Sequence, residues 1–375
     1  MMKKIILCLI FACFLLSGNT VNAQVEIWKR TDLVLFGAQT YSNPYSDVIV
    51  SAVFTHENGD EIKLSGFWNG DNEWRVRFSP TKTGIWTYSI TSDPSDNGLT
   101  ADGTITAVAN TGTTALDRHG FVKMSENKRY FTFNDGTPFY WLGDTQWQAP
   151  NYVSFTHCNF PGCTCGNQFK HEVDNRLKKG FTVYQTYFDS GESDGGGQRA
   201  TTSEPSIWLS RHTKINPAVF TEKIDPMFDY LAEKGMVIAL GYGVHNNTTD
   251  NMTEKALLDI TRYLTSRYAS YPVVWITAQE INLTSGSLAA WKKSANLVNE
   301  LDGYSHPQGA HLFPTEASEA TAIAINAEDW HEYWALQGGH SGPQRKTCYQ
   351  GYWNNTNIKP FVETEANYED VECDG

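Results

Sequence analysis

No stretch after residue 23 is long and apolar enough to cross a bilayer, which takes about 20 predominantly apolar residues, so no membrane span is expected in the mature chain. Clustered basic charge is also missing. The formal net charge is −13, and a surface of that sign repels phosphate backbones, which excludes a nucleic-acid partner from the expectations. Neither a glycine-rich dinucleotide fingerprint nor a phosphate loop follows the first strand of the second half, which weighs against a nucleotide-binding fold. Cysteine is sparse. Of the seven, Cys8 and Cys13 belong to an N-terminal leader; Cys158, Cys163 and Cys165 crowd together, and Cys348 and Cys373 lie far downstream. In an exported chain disulfides are the default, and an odd count leaves one thiol over. His157 and His171 flank the cluster, but the spacing matches no standard zinc pattern, and neither metal nor other cofactor is expected.

What is present begins with that leader. Lys3 and Lys4, an apolar stretch to Leu16, and Val21-Asn22-Ala23 have the order of a secretory signal peptide cut after Ala23. The expected mature protein is secreted or periplasmic, and without Lys3 and Lys4 its net charge is −15. With 375 residues, 40% of them hydrophobic and 13% aromatic, the chain can bury a large core and is too long for one ordinary domain.

Two grammars divide it. In residues 24–112 apolar and polar positions alternate, with Val48, Val50, Ala52 and Phe54 on one face and turn signals at Glu57-Asn58-Gly59-Asp60 and Asn69-Gly70-Asp71. An antiparallel β-sandwich is expected there, followed by a small, polar linker. Residues 116–375 instead alternate apolar strands with amphipathic helices, two of which end in Lys-Gly, a basic last turn with a glycine stop. Seven strand candidates are "PFYWLGDTQW", "FTVYQTYFD", "GMVIALGYG", "VVWITAQEIN", "AHLFPTE", "HEYWALQGGH" and "KPFVETEANYED". This α/β repetition implies a (β/α)8 TIM-type barrel, truncated before its eighth strand because the chain stops directly after the seventh candidate.

In such a barrel the chemistry gathers at the C-terminal strand ends. The fourth candidate strand, otherwise apolar, finishes on Gln279 and Glu280; the seventh carries Glu363 and Glu365, across the mouth. Carboxylates so placed suit glycoside hydrolysis, in which one carboxyl protonates the leaving oxygen and the other attacks the anomeric carbon or activates water. Glu280 is assigned as acid/base and Glu365 as nucleophile. Glu363 and Glu369 compete for the second role, since strand alternation puts Glu363 and Glu365 on one face. Expected substrate contacts are Asp144, Trp147, Gln185, Tyr187, His245, Gln279, Gln337 and His340. Trp141, Trp330, Trp334 and Trp353 offer further aromatic surface for sugar rings, although only Trp147 and Trp353 stand in loops.

On "RYFTFNDGTPFYWLGDTQW", "INPAVFTEKIDPMFDYLAEKGMVIAL", "YPVVWITAQEIN", "WALQGGHSG" and "KPFVETEANYED", the second half resembles the apiosidase-like glycoside hydrolases of bacteria. The first half, with "NPYSDVIVSAVF" and "GFWNGDNEWRVRFSPTKTGIWTY", resembles the β-sandwich of unknown function that often precedes such barrels. The resemblance implies cleavage of glycosidic bonds in plant or algal polysaccharides, with the acid/base at Glu280 and the nucleophile at Glu365 rather than Glu363. Where apiosidases tend to carry an aspartate after glycines on the fourth strand, this chain has Ala278-Gln279-Glu280, closer to the Asn-Glu ending of the wider retaining-glycosidase clan. The resemblance therefore does not extend to apiose specificity. The rival readings are a non-catalytic carbohydrate-binding protein using the same barrel mouth, and a polysaccharide lyase.

Overall fold

The computed structural model describes residues 24–147, 149–158, 166–188, 205–210, 212–241, 252–283, 288–338 and 346–366. The expected leader lies outside them. Among the described residues no helix is long and apolar enough to cross a membrane.

The N-terminal part is one seven-stranded sheet: β1 (Gln24–Glu26), β2 (Thr31–Phe36), β3 (Ile49–His56), β4 (Glu61–Gly70), β5 (Glu73–Phe78), β6 (Gly84–Asp93) and β7 (Ala101–Val108), in the order β1-β7-β6-β3-β4-β5-β2. The ten-residue β4 gives its first half to β3 and its last residues to β5, so the sheet folds over along this strand. Gly66 marks the fold: a Cβ there would meet Val50 Cγ1 at 2.9 Å and the Arg75 carbonyl at 3.0 Å. Phe54 of β3 and Phe78 of β5 stack across the interior at 4.0 Å, and Val50, Ala52 and Phe54 are buried as the alternation requires. The pairing is antiparallel as expected, except that β1 runs parallel to β7. The linker is more ordered than its composition suggests. Thr114 and Asp117 form a capping box on a short helix, Ala115–His119.

All seven barrel candidates form strands of a second sheet: β11 (Gly143–Thr145), β12 (Val183–Tyr187), β15 (Val237–Gly241), β16 (Val273–Ile276), β17 (Gln308–Leu312), β18 (Tyr333–Gln337) and β19 (Phe361–Glu365), parallel and in sequential order. A hairpin, β13 (Trp208–Ser210) with β14 (Lys214–Ile215), interrupts the second crossover. The helices between include Gln168–Lys178, Asp225–Glu233, Glu254–Tyr268 and Leu288–Leu301. After the first two, Gly180 and Gly235 take φ of +86° and +80°, the left-handed stop read from Lys-Gly.

The sheet curls into a nearly closed barrel of the seven strands read from the sequence. Val183, Val237, Ala239, Val274, Ile276, Tyr333 and Ala335 fill its lower interior, and the alternate residues Tyr184, Ile238, Leu240, Trp275 and Trp334 pack toward the helices. A three-stranded sheet, β8 (Val122–Met124), β9 (Phe131–Phe133) and β10 (Pro138–Phe139), plugs the N-terminal end with Phe131, Phe133 and Phe139. Side chains link β19 to the first two strands: Thr145 Oγ1 of β11 and Gln185 Nε2 of β12 both donate to the Thr364 carbonyl, at 3.2 and 2.7 Å.

The two parts share one continuous apolar core, with β4 and β5 lying on the helix Glu254–Tyr268. At its centre Arg77 of β5 pairs with Asp225, which also accepts from Arg267 Nε and Nη2 (2.9 and 2.7 Å) and from Tyr268 Oη (3.0 Å). Burial alone would raise the Asp225 pKa, but the Arg77 and Arg267 guanidinium groups outweigh it and hold the carboxyl far below the usual range.

Candidate active site

Residues at the C-terminal ends of β12 and β16–β19 meet at the barrel mouth. Glu365, the last residue of β19, is only 5% exposed. Its Oε2 accepts from Gln279 Nε2 at 3.2 Å and lies 3.3 Å from Nε2 of the fully buried His311 on β17. That imidazole N–H points off the line of a full hydrogen bond, so the second contact is an oblique one. Across the same ring, Nδ1 accepts the backbone N–H of Glu280 at 3.2 Å. Glu280 is half-buried and has a φ of +53°, a left-handed conformation that a side-chain-bearing residue adopts at a cost. The Trp147 ring completes this wall, with its centroid 5.3 Å from His311, edge-on, and 5.6 Å from Tyr187. Backbone bonds set Trp147: Gln146 N–H donates to the Gln185 carbonyl (2.8 Å), and Tyr187 N–H to the Trp147 carbonyl (2.9 Å).

A bulge in β19 separates the two competing glutamates. Leu336 pairs with Glu363, but the next residue, Gln337, pairs with Glu365, leaving Thr364 as the extra residue. Regular alternation would have placed both acids on one face; the bulge puts them on opposite faces. Glu365 turns inward beside Gln337. Glu363 turns outward with Phe361, which stacks on Tyr349 of the helix Lys346–Trp353; Tyr349 Oη donates to Glu363 Oε2, and Gly338 N–H donates to Oε1 (2.8 Å). Burial pushes the Glu363 carboxyl up to about 7, the nearby Glu365 charge adding to the rise and backbone N–H donors opposing it.

Other expected contacts divide. Gln185 reaches the mouth, but its amide nitrogen is committed to the Thr364 carbonyl and the Thr145 hydroxyl. Asp144 does not reach it. Its partner across the register is the outward-facing Tyr184, and its carboxylate takes Arg176 Nε of the helix Gln168–Lys178 at 2.8 Å and Gln146 Nε2 at 3.1 Å. Trp330 and Trp334 are buried core, and Trp141 packs on Phe131 and Tyr333 at the plugged end. Trp353, expected in a loop, ends a helix, where Arg129 covers its ring at 4.4 Å and Phe361, the first residue of β19, meets its edge; it lies far from the mouth. His245, His340 and Glu369 lie outside the described residues, as do Cys163, Cys165 and Cys373. Cys158 is disulfide-bonded. The residue that sequence reasoning missed is His311. Its signal was the one that revealed Glu280, a polar side chain on an apolar strand, here within "AHLFPTE".

A family model described as apiosidase-like, catalytic domain, matches residues 125–374. The chain belongs to the apiosidase-like family. Ahead of this apiosidase-like barrel, residues 24–93 match a domain of unknown function, DUF5060. No curated protein matches the chain. Among solved structures, a protein assigned as a glycoside hydrolase from Bacteroides vulgatus superposes with a TM-score of 0.63 at 21% identity, over 84% of this chain and 60% of its own. A family 5 glycoside hydrolase from Bacteroides vulgatus gives 0.54 at 18% identity, over 69% and 56%. A further glycoside hydrolase gives 0.55 at 18%, over 70% and 60%. The apiosidase-like chain thus has a glycoside-hydrolase fold and spans 56–60% of the length of these three structures.

Proposed function

We propose that this protein is a secreted glycoside hydrolase that cleaves glycosidic bonds of plant or algal polysaccharides with Glu365 as nucleophile and Glu280 as acid/base. One observation carries the reading: a buried carboxylate at the mouth of a glycoside-hydrolase barrel is linked through a single imidazole to the backbone of the second acid. A nucleophilic carboxylate must be ionised and aimed; the Gln279 amide donates to Glu365 Oε2, and the His311 ring approaches the same oxygen obliquely at 3.3 Å. In this reading the half-buried Glu280, at the end of β16 across the mouth, protonates the leaving oxygen and later activates water, the double displacement of a retaining enzyme. Trp147, beside Tyr187, offers an aromatic face for a sugar ring. The chemistry needs no metal or organic cofactor.

The test is Glu365→Gln. Hydrolysis of pectic, hemicellulosic or algal glycans, followed by reducing ends, should fall by several orders of magnitude while the variant still binds the glycan. Binding without hydrolysis by the unmodified protein would make it a carbohydrate-binding protein instead, and an ultraviolet-absorbing unsaturated product would make it a lyase.

A further inference from the structure

We propose that His311 is a positioning residue for both acids: its Nδ1 fixes the left-handed turn that carries Glu280, and its Nε2 orients the Glu365 carboxylate. The inference deepens the glycosidase reading and rests on it.

The backbone N–H of Glu280 can only donate, so the Nδ1 it reaches must be a bare acceptor. The imidazole is therefore neutral with its proton on Nε2, the nitrogen that faces Glu365 Oε2 at 3.3 Å. That one tautomer accepts the Glu280 N–H and turns the Nε2 proton toward Glu365, at an oblique angle. The ring has little freedom to serve them otherwise: it is fully buried, its backbone N–H is bound to the Ala278 carbonyl (3.0 Å), and Trp147 packs edge-on against it. Ala278 and Glu280 flank Gln279, which donates to the same oxygen, Oε2, that His311 faces. One strand end and one imidazole thus determine where both carboxyl groups stand. The left-handed conformation at Glu280 persists because the surroundings hold it, and the bond to Nδ1 is one of the holds. A histidine that merely filled core volume would require neither contact.

Two near-isosteric variants separate the contacts. In His311→Asn the side-chain oxygen can stand in for the Nδ1 acceptor, but the shorter side chain no longer reaches Glu365. In His311→Gln the amide nitrogen can stand in for the Nε2 donor, but the Glu280 N–H loses its acceptor. On a panel of aryl glycosides, a dinitrophenolate leaves without a proton from the acid, whereas a phenolate needs one. His311→Gln should therefore lose about 10- to 100-fold in kcat/KM on phenyl glycosides and stay near the parent on dinitrophenyl ones. His311→Asn should lose about the same factor on both, because nucleophilic attack is slowed whatever the leaving group. Equal leaving-group profiles for the two variants, or parent-like rates in both, would overturn the proposal.

A second readout does not depend on hydrolysis. Imidazole 15N NMR of the unmodified protein should show the Nε2–H tautomer for His311, and Glu365→Gln should shift the Nε2 resonance. An Nδ1–H tautomer, or an Nε2 resonance that ignores Glu365→Gln, overturns the proposal even in an active enzyme. A resonance that moves in a protein that cleaves no glycoside upholds the His311 contacts and refutes the glycosidase reading alone.

Discussion

Replacing Asp225 by Asn should melt the whole molecule earlier, in one transition. Asp225 is the only carboxylate bound to both buried guanidinium groups at the junction of sheet domain and barrel, Arg77 and Arg267, among the described residues. Asparagine keeps the shape and some hydrogen bonding but removes the negative charge, and two buried cations then face each other. Losing one partner of a buried ion pair costs about 3–5 kcal/mol. Asp32, whose Oδ1 lies 3.3 Å from Arg77 Nε, offsets part of that for Arg77, but Arg267 has no such reserve in the network described. At ~2.1 cal/mol/K of unfolding entropy per residue, the ~350 residues from Gln24 onward lose roughly 4–7 °C in Tm for that range. Scanning calorimetry at neutral pH is the assay. The sign with pH is also defined. The folded pKa of Asp225 is depressed, so its contribution is present above the unfolded carboxylate range and is lost as pH falls toward the folded value. The variant's deficit should therefore shrink on acidification. An unchanged Tm, or two separate transitions of which only one moves, would refute the claim that this cluster fastens the two parts into one cooperative unit.

Glu363 titrates on the opposite side. Its pKa is raised from 4.5 to about 7, so the folded state holds a proton that the unfolded state releases, and stability should fall as pH rises through that window. Glu363→Gln should flatten the fall, measured by urea denaturation at pH 5 and pH 7.5; a variant with the parent's pH slope would contradict the outward, half-buried placement of this side chain. Trp147→Ala should weaken glycan binding by about tenfold, the worth of one aromatic contact of roughly 1.5 kcal/mol. That loss should appear in KM more than in kcat, and unchanged binding by calorimetric titration would remove Trp147 from the proposed substrate contacts.

Much of this architecture was legible because parallel strands are buried on both faces and read as continuous apolar runs. Val273 to Ile276 announce a strand without help from the rest of the chain, and Gln279-Glu280 stand out against them. The Lys-Gly stops worked for the same local reason. What escaped depends on partners distant in sequence. Asp144 looked like a mouth residue until Arg176, thirty-two positions on, was seen to hold it on the helix side. His311 was hidden in a short, weak strand whose register is set by β16 and β18. The bulge at Thr364 leaves no mark on alternation, which counts residues and not hydrogen bonds, so Glu363 and Glu365 looked equivalent. The approach of β19 to β11 and β12 rests on Thr145 and Gln185 meeting the Thr364 carbonyl, a contact that no local pattern encodes.

That bulge also sets how much negative charge the cavity carries. A strand bearing Glu-Thr-Glu has two acids to offer, and a regular register would present both to the interior or neither. Two carboxylates side by side in so enclosed a space would repel, and one would take up a proton near neutrality, leaving the ionisation of Glu365 to its neighbour's state. None would leave the cavity without the carboxylate proposed as its nucleophile. The extra residue admits one, and parks the other beneath a tyrosine hydroxyl on the far side of the wall. A one-residue deletion or insertion at this point, invisible to composition and mild by any substitution measure, would change the electrical character of the pocket by a full charge.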